Sequence, residues 1–308
     1  MPKSGVAILG SFVADLAFRA PRLPALGETM IGSGFKLGPG GKGSNQAVAA
    51  ARAGARVTFI SKVGRDDFGR VARATWRQEG IVDAVLDSDG APTGAAFIYV
   101  NDRTGENAII VVPGAAMAIT PADVDAAADA IRNAAVFVTQ LEQPVDAALR
   151  GLEIARAAGV VSVFNPAPAE PVPDALYPLC DYVTPNETEA ALLTGVAVTT
   201  LDDARRAGDV FLRKGVGTAL ITLGENGVLL HGKAASLHVP AFAAGPVVET
   251  AGAGDAFNGG FAAALARGDA PEAAARFGCA VAGLSVTRPG TAPSMPTLAE
   301  VEALLARR

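Results

Sequence analysis

PVVETAGAGDAFNGGFAAALARG, residues 246–268, is the stretch around which the rest of the chain is organised. It reads as a short strand ending at Val247 and Val248, a glycine turn through Gly252 and Gly254, and a helix from Ala256 to Arg267 closed by Gly268. That order makes an anion site. The first N–H groups of a helix lack intrahelical partners, the macrodipole adds partial positive charge, and glycine lets a phosphate approach the backbone closely. Asp255 puts a carboxylate into the same turn. Two roles fit it: the helix N-cap, or a base facing the group that the turn holds. Asn258, three residues on, is not the Glu or Gln of a capping box.

A second glycine cluster lies upstream, GPGGKGSNQA at residues 38–47. Gly38, Gly40 and Gly43 match the spacing of a dinucleotide-binding G-x-G-x-x-G, but the next strand, Val57 to Ile60, runs into Ser61 and Lys62 instead of a ribose-binding acid. It is not a P-loop either, because Gly41-Lys42 is followed by glycine and position 36 is lysine. What remains is bare backbone carrying Lys42 and Asn45, a set of N–H, ammonium and amide groups suited to a polyhydroxylated ligand. Val6 to Leu9 is the apolar run of a first parallel strand, and Asp15 follows near the edge where open α/β sheets bind ligands. A loop aspartate making its own turn fits Asp15 equally well.

The rest of the chain alternates helix and strand with one interruption. Asn45 to Ala53 is helical, Arg56 to Val63 is a strand, and Asp66-Asp67 caps a helix towards Gly80. Gly94 to Val100 and Ala108 to Val112 are then joined by a hairpin turn with no helix between them. A hairpin cannot continue a right-handed parallel crossover, so it belongs with Phe12 to Arg19 and Glu28 to Leu37 in a small second sheet, a lid over segments 12–37 and 94–112. From Pro121 the alternation resumes: helix to Arg132, strands Val136–Thr139, Val160–Phe164, Tyr182–Thr184 and Thr218–Leu223, helices Val145–Ala158, Leu201–Lys214 and Ala270–Val286, and Leu298–Leu305 at the end. The expected class is α/β: a doubly wound, mainly parallel sheet with helices on both faces plus the small lid. Glu189 lies three residues past Asn186 on a first helical turn, an arrangement that suits a hydrated magnesium ion or a helix cap equally.

Composition narrows the function classes. A net charge of −5 across 308 residues, with no Lys or Arg run, argues against nucleic acid as partner. No segment approaches the ~18 consecutive apolar residues of a membrane span, and MPKSGVAILGS opens without a signal-peptide pattern, so a cytoplasmic protein with no membrane partner is expected. Cys180 and Cys279, with only His231 and His238, give neither a disulfide framework nor zinc spacing, and both cysteines read as core. Two glycine turns plus Asp15, Asn45, Glu142 and Asp255 near strand ends favour an enzyme acting on a polyol.

The chain resembles the ribokinase-like (PfkB) carbohydrate kinases through GGKGSNQAVAA at residues 40–50 and TAGAGDAFNGG at residues 250–260. QLEQP from Gln140, NPAPA from Asn165, TPNETEA from Thr184, ITLGENG from Ile221 and VTRPGTAPSMP from Val286 extend the likeness along the whole chain, 1–308, as one domain. The resemblance implies an ATP-dependent sugar kinase, D-ribose to D-ribose 5-phosphate, with Asp255 as base and Gly252, Ala253 and Gly254 as anion hole. It implies that Asp15, Gly40, Gly41, Lys42, Asn45, Glu142 and Asp255 hold the sugar, and that Asn186, Thr222, Gly224, Gly227, Gly254 and Cys279 contact ATP. Glu189 would order Mg2+ through water, while Glu249, Ala251, Ser285, Arg288, Gly290 and Ser294 would surround an activating K+. The lid would close over the sugar and pair two chains into a homodimer. Two positions depart from the family pattern: Val13 stands where asparagine is usual, and Glu249 where aspartate is usual. A kinase for another sugar or a nucleoside, or a sugar-binding sensor without turnover, are the alternatives; simple binding would not need an acid at an anion site.

Overall fold

The computed structural model describes residues 3–307. The strands are β1 (Val6–Leu9), β2 (Val13–Ala20), β3 (Gly34–Gly40), β4 (Val57–Gly64), β5 (Val82–Ser88), β6 (Thr93–Asn101), β7 (Asn107–Gly114), β8 (Val136–Thr139), β9 (Val161–Phe164), β10 (Tyr182–Val183), β11 (Thr218–Thr222), β12 (Val228–Gly232) and β13 (Ser236–Val239). The helices are α1 (Lys42–Arg52), α2 (Asp67–Gln78), α3 (Pro121–Ala126), α4 (Ala128–Asn133), α5 (Val145–Ala158), α6 (Glu187–Thr194), α7 (Leu201–Arg213), α8 (Ala253–Arg267), α9 (Pro271–Ser285) and α10 (Leu298–Leu305). Nine strands form the large sheet in the order β13-β12-β11-β10-β9-β8-β1-β4-β5, parallel from β11 through β5, with β12 and β13 added antiparallel. The four-stranded second sheet runs β3-β2-β6-β7. The expected architecture is the observed one.

Strand periodicity divides the core between the two faces of the large sheet. In β1, Val6 and Ile8 join the apolar layer under α1, α2, α8 and α9, while Ala7 and Leu9 join the layer under α3, α4, α5 and α7. Both faces are therefore dry, which is why β1 and β8 are continuous apolar runs. β1 passes directly into β2, and β3 directly into α1, so the small sheet is rooted at the carboxyl edge of the large one.

Several expectations fail locally. Residues 246–248 do not form a strand; Val247 and Val248 are 66% and 59% exposed, and the N–H groups of Val248 and Glu249 both turn to the Val286 carbonyl. Pro246 has no N–H to offer a ladder, so apolar character alone does not make a strand there. The helix expected from Pro121 to Arg132 breaks at Ala127, where the ladder tightens to Ala127 N–Val124 O and Ala130 N–Ala127 O bonds. The lid segment between Glu28 and Leu37 pairs only from Gly34. β5 and β13 are edge strands that the sequence pattern did not announce.

Candidate active site

Close backbone contact brings α8 onto α1. A Cβ at Gly259 would lie 2.5 Å from Ala49 Cβ and 2.6 Å from the Gln46 carbonyl, so only glycine permits this approach. α1 in turn sits against β1, where a Cβ on Gly43 would be 2.7 Å from Gly10 Cα. The two glycine turns of the sequence thus meet, and Asp255 lies between them.

The N-cap of α8 is Gly252, in the left-handed conformation at φ 79°, and Asp255 is the third helical residue. Its side chain does not cap the helix. Oδ2 accepts a hydrogen bond from Asn45 Nδ2 at 3.0 Å and Oδ1 accepts from Gln46 Nε2 at 3.1 Å. Burial pushes the Asp255 carboxyl up; the Lys42 ammonium and the two amide donors oppose this, and Glu142 adds to it. The helical ladder begins at Ala256 N–Gly252 O, and Ala253 N–H is engaged with the Thr250 carbonyl at 3.2 Å. Gly254 is the open position of the turn: a Cβ there would meet nothing within 4 Å.

Lys42 opens α1, and burial pulls its ammonium down, but Asp255, Glu142 and Glu189 outweigh that and hold it above its ordinary value. Glu142 Oε2 accepts from both Lys42 N–H at 2.7 Å and Ser11 Oγ at 2.5 Å, clamping the start of α1 to the loop after β8. Asp15 lies within β2 rather than in a loop. A Cβ on Gly40 would come within 2.4 Å of its carboxylate oxygens, so glycine at position 40 makes room for it. Burial raises Asp15 to about 6, with Glu142, Glu249 and Asp255 adding to the rise and the Thr291 hydroxyl at 3.3 Å opposing it.

A cavity of about 150 Å³ is lined by Lys42, Asn165, Thr184, Asn186, Glu189, Thr222, Thr250 and the 252–255 turn, while Asp15, Gly40, Gly41, Asn45 and Glu142 lie outside its lining. Asn186 and Glu189 form a capping box on α6: Asn186 N–H donates to Glu189 Oε2, and Glu189 N–H to Asn186 Oδ1, both at 2.8 Å. Burial raises Glu189, while the Asn186 N–H and Lys42 oppose it. Gly224 and Gly227 bracket the turn between β11 and β12, outside the lining of that cavity, and so is Cys279, buried on α9 with its thiol pushed by burial to about 12. The loops assigned to a monovalent cation touch each other, since Glu249 Oε2 accepts from Gly290 N–H at 2.7 Å. The Arg288 guanidinium is occupied by Glu300, and the hydroxyls of Ser285 and Ser294 donate to Ala282 O and Thr291 O. Among the described residues no group of three or more His, Cys, Asp or Glu gathers as a metal site.

Sequence reasoning passed over Gln46, Thr184, Asn258 and Thr291. Gln46 bonds Asp255, Asn258 Nδ2 donates to Gly254 O at 2.9 Å and Thr291 bonds Asp15, while Thr184 reaches the site through Asn258. The available signal for Gln46 was its place beside Asn45 on the first turn of α1.

Residues 3–298 match the pfkB family carbohydrate kinase pattern, and the chain belongs to that family of phosphotransferases with an alcohol acceptor. Within it the chain is ribokinase-like. It is 40% identical to the ribokinase of Haemophilus influenzae over 294 residues, covering 95% of both chains, and 36% identical to a deoxyribokinase of Salmonella typhi over 295 residues, covering 95% and 96%. The Arabidopsis thaliana ribokinase complexed with ribose and ATP superposes with a TM-score of 0.94 at 32% identity, covering 99% of each chain. Among the described residues no helix is long and apolar enough to cross a membrane.

Proposed function

We propose that this sugar kinase phosphorylates D-ribose from ATP to give D-ribose 5-phosphate and ADP. The observation that carries the reading is the Asp255 carboxylate, held by two amide donors beside the open Gly254 position at a helix N-terminus. In the reaction the primary hydroxyl oxygen of the sugar bonds to the γ-phosphorus as the bond to the bridging oxygen of ADP breaks, and the hydroxyl proton passes to Asp255. Charge on the transferring group meets the N–H groups of Gly252 and Gly254, the Ala253 N–H being held by the Thr250 carbonyl. Asp15, Lys42, Asn45 and Glu142, with glycines 40 and 41, take the sugar hydroxyls. Asn45 Oδ1, buried without a partner, is left to accept from one of them.

Asn186, Thr222 and Gly224 serve the nucleotide. Glu189 fits Mg2+ carried in on the phosphates: one carboxylate on the cavity wall is the donor set of an ion that keeps most of its water. When bound, that ion neutralises phosphate charge. A potassium ion suits the junction of the 249–251 and 285–294 loops, where it would stiffen the turn leading into Gly252. The small sheet acts as a lid and as the dimer interface, a role supported by its exposed apolar side chains: Phe18 packs on Phe35 and Phe97 at ring separations of 4.9 and 5.7 Å, and Ile110 is 66% exposed.

A second reading is favoured by Val13, which shares a strand face with Asp15 and is 3% exposed. Valine can neither donate nor accept for a sugar hydroxyl, so a 2-deoxy sugar loses nothing there. A coupled ADP-release screen across ribose, 2-deoxyribose, arabinose, fructose and adenosine decides: the highest kcat/KM on ribose supports the first reading, and on 2-deoxyribose the second.

A further inference from the structure

The orientation of Asp255 traces back to one peptide oxygen. The Thr184 carbonyl can only accept, and it accepts from Asn165 Nδ2 at 2.9 Å. Asn165 must therefore turn its Oδ1 the other way, where it accepts from Gln46 Nε2 at 3.0 Å. Gln46 then has no choice of flip: its NH2 group faces Asn165 and Asp255, and its Oε1 faces away, accepting from Gln140 Nε2 at 2.6 Å. Gln46 and Gln140 are fully buried and Asn165 is 5% exposed, so little water reaches these bonds to compete. The same Thr184 has a second arm. Its hydroxyl donates to Asn258 Oδ1 at 2.6 Å, and Asn258 Nδ2 donates to the Gly254 carbonyl.

We propose that Gln46 is a positioning residue for phosphoryl transfer, aiming the Asp255 carboxylate through an amide relay that runs from Thr184 through Asn165 and is braced by Gln140. The relay occupies Oδ1 while Asn45 occupies Oδ2, so the plane of the carboxylate is fixed and one lone pair on each oxygen is left to meet the acceptor hydroxyl. Thr184 sets the turn at Gly254 from the other side, which keeps base and phosphoryl cradle in register. The Gln46 amide is spent on protein partners, both its N–H groups and its oxygen, so its removal should alter turnover more than ligand binding. The inference rests on Asp255 being the base of the reaction.

The test is Gln46→Met, which keeps length and removes the amide with both its donors, assayed beside Asp255→Asn in the full-length enzyme. The expected result is a kcat lower by about tenfold or more, with KM for sugar and ATP within about threefold, because only an interaction realised at the transition state is lost. The acid limb of the kcat profile should also move to higher pH, since a donor that favours the carboxylate is gone while Lys42, Glu142, Asp15 and Glu189 still face it. Gln46→Glu, of nearly the same shape, covers the case in which the methionine variant does not fold. It should move the same limb further, by placing a second carboxylate against Oδ1. An unmoved limb in the folded variant, with kcat within about twofold of the parent while Asp255→Asn is inactive, would overturn the positioning role. An active Asp255→Asn would instead remove the base assignment on which the role depends.

Discussion

A methyl group placed at Gly254 should make the protein more stable and much less active. In Gly254→Ala the new Cβ meets no atom within 4 Å, and residue 254 is helical, outside the left-handed region. Replacing glycine by alanine at a compatible helical site stabilises by roughly 0.5–1 kcal/mol. With an unfolding entropy of about 2.1 cal/mol/K per residue, a chain of 308 residues has about 0.65 kcal/mol/K, so the melting temperature should rise by about 0.8–1.5 °C. The methyl nevertheless projects into the 150 Å³ cavity beside Asp255 and keeps a phosphoryl oxygen from closing on the turn's N–H groups. Loss of one such donor costs about 10²–10³ in turnover. Gly252→Ala is the control with the opposite sign on stability: at φ 79° a side chain costs about 1–2 kcal/mol, so melting should fall. Scanning fluorimetry and the ADP-release assay read both quantities on the same samples. If Gly254→Ala kept kcat/KM within about threefold of the parent at a raised melting temperature, the transferring group does not sit at the 252–254 turn.

Asp255→Asn should retain sugar and ATP binding by calorimetry and lose turnover by about 10²-fold or more, because an amide cannot take the hydroxyl proton; turnover within tenfold would return Asp255 to a structural role. Asp15, raised by burial to about 6, binds more protons folded than unfolded between about pH 4 and 6, so it makes stability fall as pH rises through that window, and its ionised form carries the cost above it. Asp15→Asn should therefore melt higher than the parent at pH 7.5 but not at pH 4.5, and the parent's KM for the sugar should climb as pH drops below 6; an unchanged melting difference across that range would contradict the burial cost. Turnover should be activated by potassium over sodium, and Glu249→Asp should lower the half-saturating KCl, because the shorter carboxylate withdraws from the Gly290 N–H and its oxygen becomes free for the cation. Full activity of both proteins in potassium-free buffer at fixed ionic strength would leave the loop junction without a cation role.

Local chemistry determined much of this protein from sequence alone. Apolar runs of strand length separated by helix formers specify a parallel sheet covered on both faces, and the hairpin at 101–107, which no crossover can absorb, specifies a second sheet. Glycines at 252 and 254 mark a bare-backbone turn at a helix start, because the missing side chain, and the positive φ that Gly252 adopts, are properties of the residue itself. What Asp255 does was left open between cap and base, since both roles put the same residue at the same place on the chain. The tertiary structure takes the carboxylate away from the cap: Gly259 lets α8 press against α1, and the donors that bind the carboxylate come from residues 45 and 46, more than two hundred positions away. Val247 and Val248 fail as a strand for the same kind of reason, because a strand needs a partner with free N–H and C=O groups, and that partner is supplied by the fold. The buried amide relay through Thr184, Asn165 and Gln46 was illegible for the deepest reason. Its specificity lies in which end of each amide faces which neighbour, and a sequence records that a glutamine is present but not which way it points.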